Sequence, residues 1–260
     1  MIWIIGGTVN ATDISDLLIS QNFPVLVSVT TEYGRILAQQ TGAEVISGAL
    51  NQSQMSQLIV EKNITMVVDA SHPFALEVSL NAIAASSECS IPYIRFERPN
   101  KIYKEATYLS SYNEVVEYLS SKKGNILLTT GSKHIAHFKP LGAYRIVARV
   151  LSTASSLAMC EEAGLNPSNI VSLSNVCSKE LNYALLKEFN IKYLVTKESG
   201  AEGGINEKIE AAKVAGVEVV IIKRPPISYP DRVEDYFSLM RRIKTITQTM
   251  CTETEINELN

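Results

Sequence analysis

Short apolar runs alternate with segments of helical periodicity along almost the whole chain. Residues 2–5 (IWII), 25–29 (VLVSV) and 66–68 (MVV) lack the every-second-residue polarity of a half-exposed strand, and they suit strands covered on both faces. Between them Ile14, Leu17 and Leu18, then Met55, Leu58 and Ile59, recur at helical spacing. A short helix over 33–40 stops at Gly42, and 44–46 is a short strand. A helix over 76–86 and an apolar run over 91–94 close the series. Strands alternating with helices of about 10–15 residues imply βαβ units and a parallel sheet. Residues 1–100 therefore predict one complete doubly wound α/β domain.

The polar stretch 99–106 (PNKIYKEA) breaks this rhythm and predicts an interdomain crossing. The alternation then resumes. Strands are expected at 108–109, 125–129, 145–151, 170–173, 192–195 and 217–222. Helices are expected at 115–119, 134–138, 155–162, 180–188 and 205–214. Gly164 and Gly216 follow two of these helices as C-terminal stops. A last amphipathic helix over 232–246 precedes a polar, acidic tail from Thr252, expected to fray. The predicted second domain is 101–260, C-terminal helix included.

Composition narrows the function classes. The chain has 260 residues, a net charge of −3 and an ordinary 46% hydrophobic content. It has no basic face to suit nucleic acid, so any anion site must be local. The four cysteines, Cys89, Cys160, Cys177 and Cys251, are far apart and have no zinc-ligand spacing. His134 and His137 stand three apart without an obvious third ligand, so no metal site is expected. No segment approaches the ~20 apolar residues of a membrane span. With no basic, apolar leader at the first residues, a cytoplasmic protein is expected, either a monomer or a weak homo-oligomer.

The chemistry gathers where strands end, which is where ligands bind in open parallel sheets. The first strand runs into Gly6-Gly7-Thr8, a turn that brings backbone N–H groups to a phosphate at a helix start. The full G-x-G-x-x-G spacing is absent, and a turn that simply needs glycine is the plain alternative. The second strand ends in hydroxyls, with Thr30 among them, where an NAD site places an acid; this leans to NADPH, with NADH possible. The fourth predicted strand end carries Asp69, Ser71 and His72, and the next carries Arg95 and Arg98. In the second half, Thr129-Thr130-Gly131-Ser132-Lys133 repeats the strand, small polar turn and helix start. Lys197-Glu198-Ser199 is set directly against an apolar strand, and Gly200, Gly203 and Gly204 follow within five residues. Lys197 and Lys208 are suited to hold an anion there. A capped helix start, or a plain flexible loop, is the bland alternative at each of these turns.

Taken together, these blocks resemble the precorrin-6A reductase family of cobalamin biosynthesis. They are Gly6–Thr8, V-D-A-S-H-P-F-A from Val68, P-Y-I-R-F-E-R-P from Pro92, T-T-G-S-K from Thr129, R-I-V-A-R-V-L from Arg145, K-E-S-G-A-E-G-G-I-N-E-K from Lys197, and Arg224-Pro225. Ser71 stands where the resemblance leads one to expect Thr, and it keeps the hydroxyl. The resemblance implies two Rossmann-like, mainly parallel domains with an interdomain cleft. It implies reduction of one carbon–carbon double bond of a corrin precursor, with or without cobalt, by NAD(P)H. It also implies that Arg95, Arg98, Lys133, Arg149, Lys197 and Arg224 gather the substrate's carboxylates, with Ser71 and Glu198 alongside. The pyrophosphate is expected at Gly6, Gly7 and Thr8, at Thr130–Lys133, or at Ser199, Gly203 and Gly204. Asp69 and His72 are candidates for the proton relay or for orienting the substrate. The rivals are a reductase of another anionic metabolite and a non-catalytic nucleotide- or tetrapyrrole-binding module.

Overall fold

The computed structural model describes residues 1–97, 99, 101–174, 176–200 and 203–258, with the side chains of Tyr33 and of 250–258 left aside. The first series of elements is β1 (Ile2–Ile5), α1 (Val9–Ser20), β2 (Val25–Val29), α2 (Glu32–Gln40), β3 (Glu44–Ser47), α3 (Gln52–Glu61), β4 (Met66–Asp69), α4 (Leu76–Glu88) and β5 (Tyr93–Phe96). The second is β6 (Ala106–Leu109), α5 (Tyr112–Ser120), β7 (Asn125–Leu128), β8 (Ile146–Val150), α6 (Ala154–Glu162), β9 (Ile170–Ser172), α7 (Lys179–Glu188), β10 (Ile191–Lys197), α8 (Ile205–Ala215) and β11 (Glu218–Ile222). Then come β12 (Arg232–Val233) and α9 (Tyr236–Glu258). The chain divides into two compact units, Met1–Pro99 with Pro226–Asn260, and Asn100–Pro225.

The first unit holds a six-stranded parallel sheet in the order β3-β2-β1-β4-β5-β12. The β1 sequence explains why its strands read as unbroken apolar runs. Ile2 and Ile4 face one core cluster, with Leu18, Val68 and Ile94. Trp3 and Ile5 face the other, with Met55, Ile59 and Ala82. Both faces are covered, so there is no polar face to write into the strand. Hydroxyl or amide caps start the helices: Thr8, Thr31 and Asn51 each accept a first-turn backbone N–H, and Asn51 and Gln54 form a reciprocal capping box.

The second unit holds a six-stranded parallel sheet in the order β9-β8-β7-β10-β11-β6. Each sheet reverses its strand order once, between β1 and β4 in the first and between β7 and β10 in the second. At such a reversal the loops leave to opposite faces and open a crevice at the carboxyl ends of the strands. The predicted helix at 134–138 is part of a longer 3₁₀ segment, Ser132–Leu141, with Pro140 inside it. Proline lacks the N–H that a longer α-helix would need there.

The C-terminal segment departs from the expected domain plan. Residues 226–260 join the first unit, not the second. Residues 232–233 form a strand rather than the start of a helix, in register with β5 through Arg232↔Arg95 and Val233↔Phe96. Without it β5 would be an edge with unpaired backbone groups. The helix then begins at Tyr236 and continues to Glu258, into the tail expected to fray. Its Leu239 and Ile243, both 0% exposed, close the first unit's core. An i, i+4 apolar pair is visible in a sequence, but it does not name the core it will join.

Leu239→Ala and Ile243→Ala should each destabilise the protein by about 2–5 kcal/mol, the usual cost of truncating a fully buried aliphatic side chain. Hydrogen exchange should report the loss in β1, β4 and β5 and leave β7, β10 and β11 protected. Loss of protection confined to the second sheet would refute this placement.

Candidate functional site

The crevice of the first sheet is built from two loops. The β1 loop is Gly6-Gly7-Thr8. Gly7 has φ +101°, and no atom lies within 4 Å of where a Cβ would sit, so the turn is open on its outer side. Thr8 caps α1 by accepting the Ala11 N–H, and its hydroxyl donates to the Ala70 carbonyl at 2.7 Å. That bond ties the turn to the end of β4, across the strand reversal. A glycine turn feeding a twelve-residue helix is suited to a phosphate group. At the end of β2, Ser28 is already engaged, since its Oγ accepts the Trp3 indole N–H at 2.9 Å. Thr31 caps α2, and Thr30 is left exposed. Arg35, one turn into α2 and paired with Glu32, is a cation that the sequence reading passed over.

The β4 loop is governed by Asp69. Its carboxylate is 0% exposed and accepts four hydrogen bonds. Ser71 N–H and Arg95 Nη1 donate to Oδ1, each at 2.9 Å, and Ser79 Oγ and Tyr93 Oη donate to Oδ2, each at 2.6 Å. Burial, then the neighbouring Asp69 charge, pushes the Tyr93 phenol far above its ordinary range, so it stays a donor. Arg95 is 1% exposed; it also donates to Ser71 Oγ at 3.1 Å and Glu97 Oε1 at 3.2 Å, and lies over the Tyr229 ring.

This arrangement bears on three expectations. Asp69 is fully buried and fixes the loop that carries His72. Arg95 and Ser71 are buried in the same network: Arg95 Nη1 and Nη2 and the Ser71 hydroxyl are engaged by protein, while Arg95 Nε has no hydrogen-bond partner. Tyr93 and Ser79, the other two donors, gave no signal in the sequence, because they stand 24 and 10 positions from Asp69. His72 itself is exposed, with Nδ1 accepting the Phe74 N–H at 3.1 Å. Arg98 lies outside the described residues.

The second crevice is more cationic. Thr129 N–H and hydroxyl both donate to the Val195 carbonyl, which holds the β7 and β10 ends together. Thr130 is buried with a hydroxyl that has no partner. Gly131, Arg149 and Gly203 line a cavity of about 220 Å³ together with Leu151, Leu173 and Val176. Ser132 donates to Ser156, while Lys133 is exposed. Lys197 ends β10; its ammonium lies 6.0 Å from the centre of the Tyr112 ring, on which His134 and His137 also stack. Burial, then Lys133, lowers the Lys197 pKa to about 8. Burial followed by Lys197, His137 and Lys133 lowers that of His134.

The glycine loop after β10 is packed from within. A Cβ at Gly203 would come within 2.0 Å of Ser199 Oγ, so no side chain fits there. Gly204 starts α8. Lys208, one turn on, is buried, and its ammonium donates to the Gly203 carbonyl at 2.8 Å. Burial and then Arg149 lower its pKa to about 7. Lys208 thus acts on the loop's own backbone. Glu198 takes the Arg224 backbone N–H on its carboxylate and the Arg224 Nε–H on its carbonyl, which ties the ends of β10 and β11. Tyr112 and Asn182, both beside these cations, were not foreseen; neither lies in a glycine turn or at a strand end.

Among the described residues no cluster of histidine, cysteine or carboxylate side chains has the makings of a metal site. No helix among them is long and apolar enough to cross a membrane.

Comparison with known proteins gives these crevices a context. A family model described as Precorrin-6x reductase CbiJ/CobK matches residues 1–244. Cobalt-precorrin-6A reductase of Priestia megaterium is 38% identical over 235 residues, covering 88% of this chain and 92% of that protein. The enzyme of the same name from Methanococcus maripaludis is 34% identical over 251 residues, covering 94% and 99%. The solved structure of CobK precorrin-6A reductase matches with a TM-score of 0.78 at 20% identity over 94% of this chain and 96% of that one, which shows a common fold. Two parallel sheets, each with an anion-suited crevice, and a match along nearly the full length agree: the chain belongs to the precorrin-6x reductase family.

Proposed function

We propose that this chain reduces a carbon–carbon double bond of cobalt-precorrin-6A, with the first unit receiving the nicotinamide cofactor and the second unit the carboxylates of the macrocycle. The cobalt form is favoured by the names of the relatives at 38% and 34% identity. The observation that carries the division of labour is where cations with lowered pKa values lie. In the first crevice Arg95 is buried against Asp69 and Glu97. In the second, Arg149 and Lys197 line or border a crevice end and Lys208 lies beneath the loop, each with a lowered pKa. A polycarboxylate substrate suits the second crevice, and an open glycine turn at a helix start suits a pyrophosphate in the first.

A bound nicotinamide supplies the hydride. The chain's part is to bind, orient and deliver a proton. Gly6, Gly7 and Thr8 present the turn, and Thr30 with Arg35 receives the adenosine ribose end. Asp69 fixes the loop through the Ser71 N–H, and that loop presents His72. With Nδ1 accepting from Phe74, a neutral His72 carries its proton on Nε2, from where it can be donated. In the second unit Arg149 and Lys197 hold carboxylates, while Glu198 fixes the Arg224 backbone. Thr130, Gly131, Ser132, Lys133, Ser199, Gly203 and Gly204 shape that carboxylate site rather than a pyrophosphate site. Anaerobic turnover tests the whole reading: NADPH should be consumed one for one with a change in the corrin visible spectrum. Binding of either ligand without turnover would leave only a binding module.

NADPH should bind more tightly than NADH, because no acid ends β2 and the cation Arg35 stands one turn into the helix that follows. Arg35→Ala should weaken NADPH by about 10-fold and leave NADH unchanged. Fluorescence titration of both cofactors checks this, and an NADH preference in the unaltered protein would sink it.

The Lys197 ammonium predicts a pH dependence. Its folded pKa of about 8 lies below the ordinary 10.5. The unfolded chain therefore binds more protons between these values, and this residue's contribution to stability rises with pH across that window. Carboxylate binding needs the charged form, so KM for the corrin substrate should rise above pH 8, approaching tenfold per pH unit. Lys133, His134 and Tyr112 face the same ammonium, and only Lys197→Ala should remove the rise while lowering affinity about 10- to 150-fold. A rise above pH 8 that survives in Lys197→Ala would assign it to another group.

His72→Ala should lower kcat by about 100-fold or more with little change in KM, the usual scale for losing a positioned proton donor. Stopped-flow measurement of the hydride step in light and heavy water is the check. An unchanged rate and solvent isotope effect would remove His72 from the mechanism.

A further inference from the structure

Two arginines, Arg95 buried and Arg149 half-buried, are held in opposite ways. Arg95 is neutralised by carboxylates, Asp69 at 2.9 Å and Glu97 at 3.2 Å. Arg149, near the end of β8, borders the 220 Å³ cavity and is held by an amide: its Nη1 donates to Asn182 Oδ1 at 2.7 Å. No carboxylate pairs with Arg149 among the described residues. Its charge is opposed by burial, and Lys208 lies near enough to be repelled by it.

Asn182 stands in the first turn of α7 and is 2% exposed. Both of its amide hydrogens are directed at backbone carbonyls, Cys177 O at 3.0 Å and Ser178 O at 2.7 Å. This settles which way the amide points. A flipped amide would set its NH₂ against the guanidinium and its oxygen against two carbonyls, losing all three bonds. The two carbonyls thus aim Oδ1 at Arg149.

The chemical difference from Asp69 is the point. An aspartate at 182 would cancel the Arg149 charge and face two carbonyl oxygens. The amide fixes the guanidinium with a neutral acceptor and leaves the charge for an anion in the cavity.

We propose that Asn182 is a positioning residue that aims Arg149 at a substrate carboxylate in this cavity while leaving its charge uncompensated. The proposal rests on the reading in which Arg149 binds such a carboxylate. A double-mutant cycle tests it, with Arg149→Ala, Asn182→Ala and the double variant compared by steady-state kinetics on the full-length protein with NADPH and cobalt-precorrin-6A. Arg149→Ala should raise the corrin KM about 10- to 150-fold. Asn182→Ala should raise it about 10-fold with kcat within about 2-fold, and Asn182→Ser, which keeps an oxygen acceptor, should fall between. The double variant should be no worse than Arg149→Ala, since Asn182 acts only through that arginine.

An Asn182→Ala effect of equal size in both backgrounds would overturn the proposal. So would an unchanged KM in Asn182→Ala alongside a raised KM in Arg149→Ala. An unchanged KM in Arg149→Ala would instead refute the underlying reading of the cavity, and the proposal with it. Failure of both Asn182 variants to fold would assign the residue a structural role and also overturn it.

Discussion

The carboxylate of Asp69 is the fixed point of the first unit. Taking an ion out of water costs several kcal/mol, and only close counter-charge and hydrogen bonds offset that. Here the compensation comes from four donors on three elements: the loop backbone at Ser71, α4 through Ser79, and β5 through Tyr93 and Arg95. None of these donors can move without stranding a buried charge. The place where the β4 chain turns out of the sheet is therefore set by electrostatics as much as by apolar packing. That turn in turn holds Thr8 through the Ala70 carbonyl, so the glycine turn and the His72 loop share one anchor.

The second unit repeats the architecture with the opposite charge logic. Its crevice is stitched by backbone and hydroxyl bonds at Thr129 and Val195, and Arg149 is held there by the neutral Asn182 amide. A half-buried guanidinium held by a neutral amide is a poor way to stabilise a fold. It makes sense as readiness for an anion. The lowered pKa values of Lys197 and Lys208 express the same cost, and a bound carboxylate would relieve it.

The fold was largely legible because both sheets are covered on both faces, so strands such as 2–5 and 66–68 are written as plain apolar runs. The glycine turns were legible for a similar reason: few residues other than glycine suit Gly7 or Gly203. Legibility ended where the deciding partner is distant in sequence. Arg95 and Arg149 look alike in the chain, each among apolar neighbours near a strand end. Only the fold reveals that one meets Asp69 and the other Asn182. The two-residue strand β12 was lost for a related reason. Nothing local to Arg232-Val233 says that a sheet begun at Ile2 still has an open edge.

That open edge bears on how the chain folds as it leaves the ribosome. All six strands of the second sheet lie between residues 106 and 222, whereas the first sheet waits for residues 232–233 and for the helix that covers its core. The unit that begins first is completed last. Domains fold as units during synthesis, at about 5–20 residues per second. For several seconds, then, β5 is an uncovered edge while the second unit forms beside it in time. Nascent chains arrested just before Pro226 should be the most exposed to edge pairing and chaperone capture.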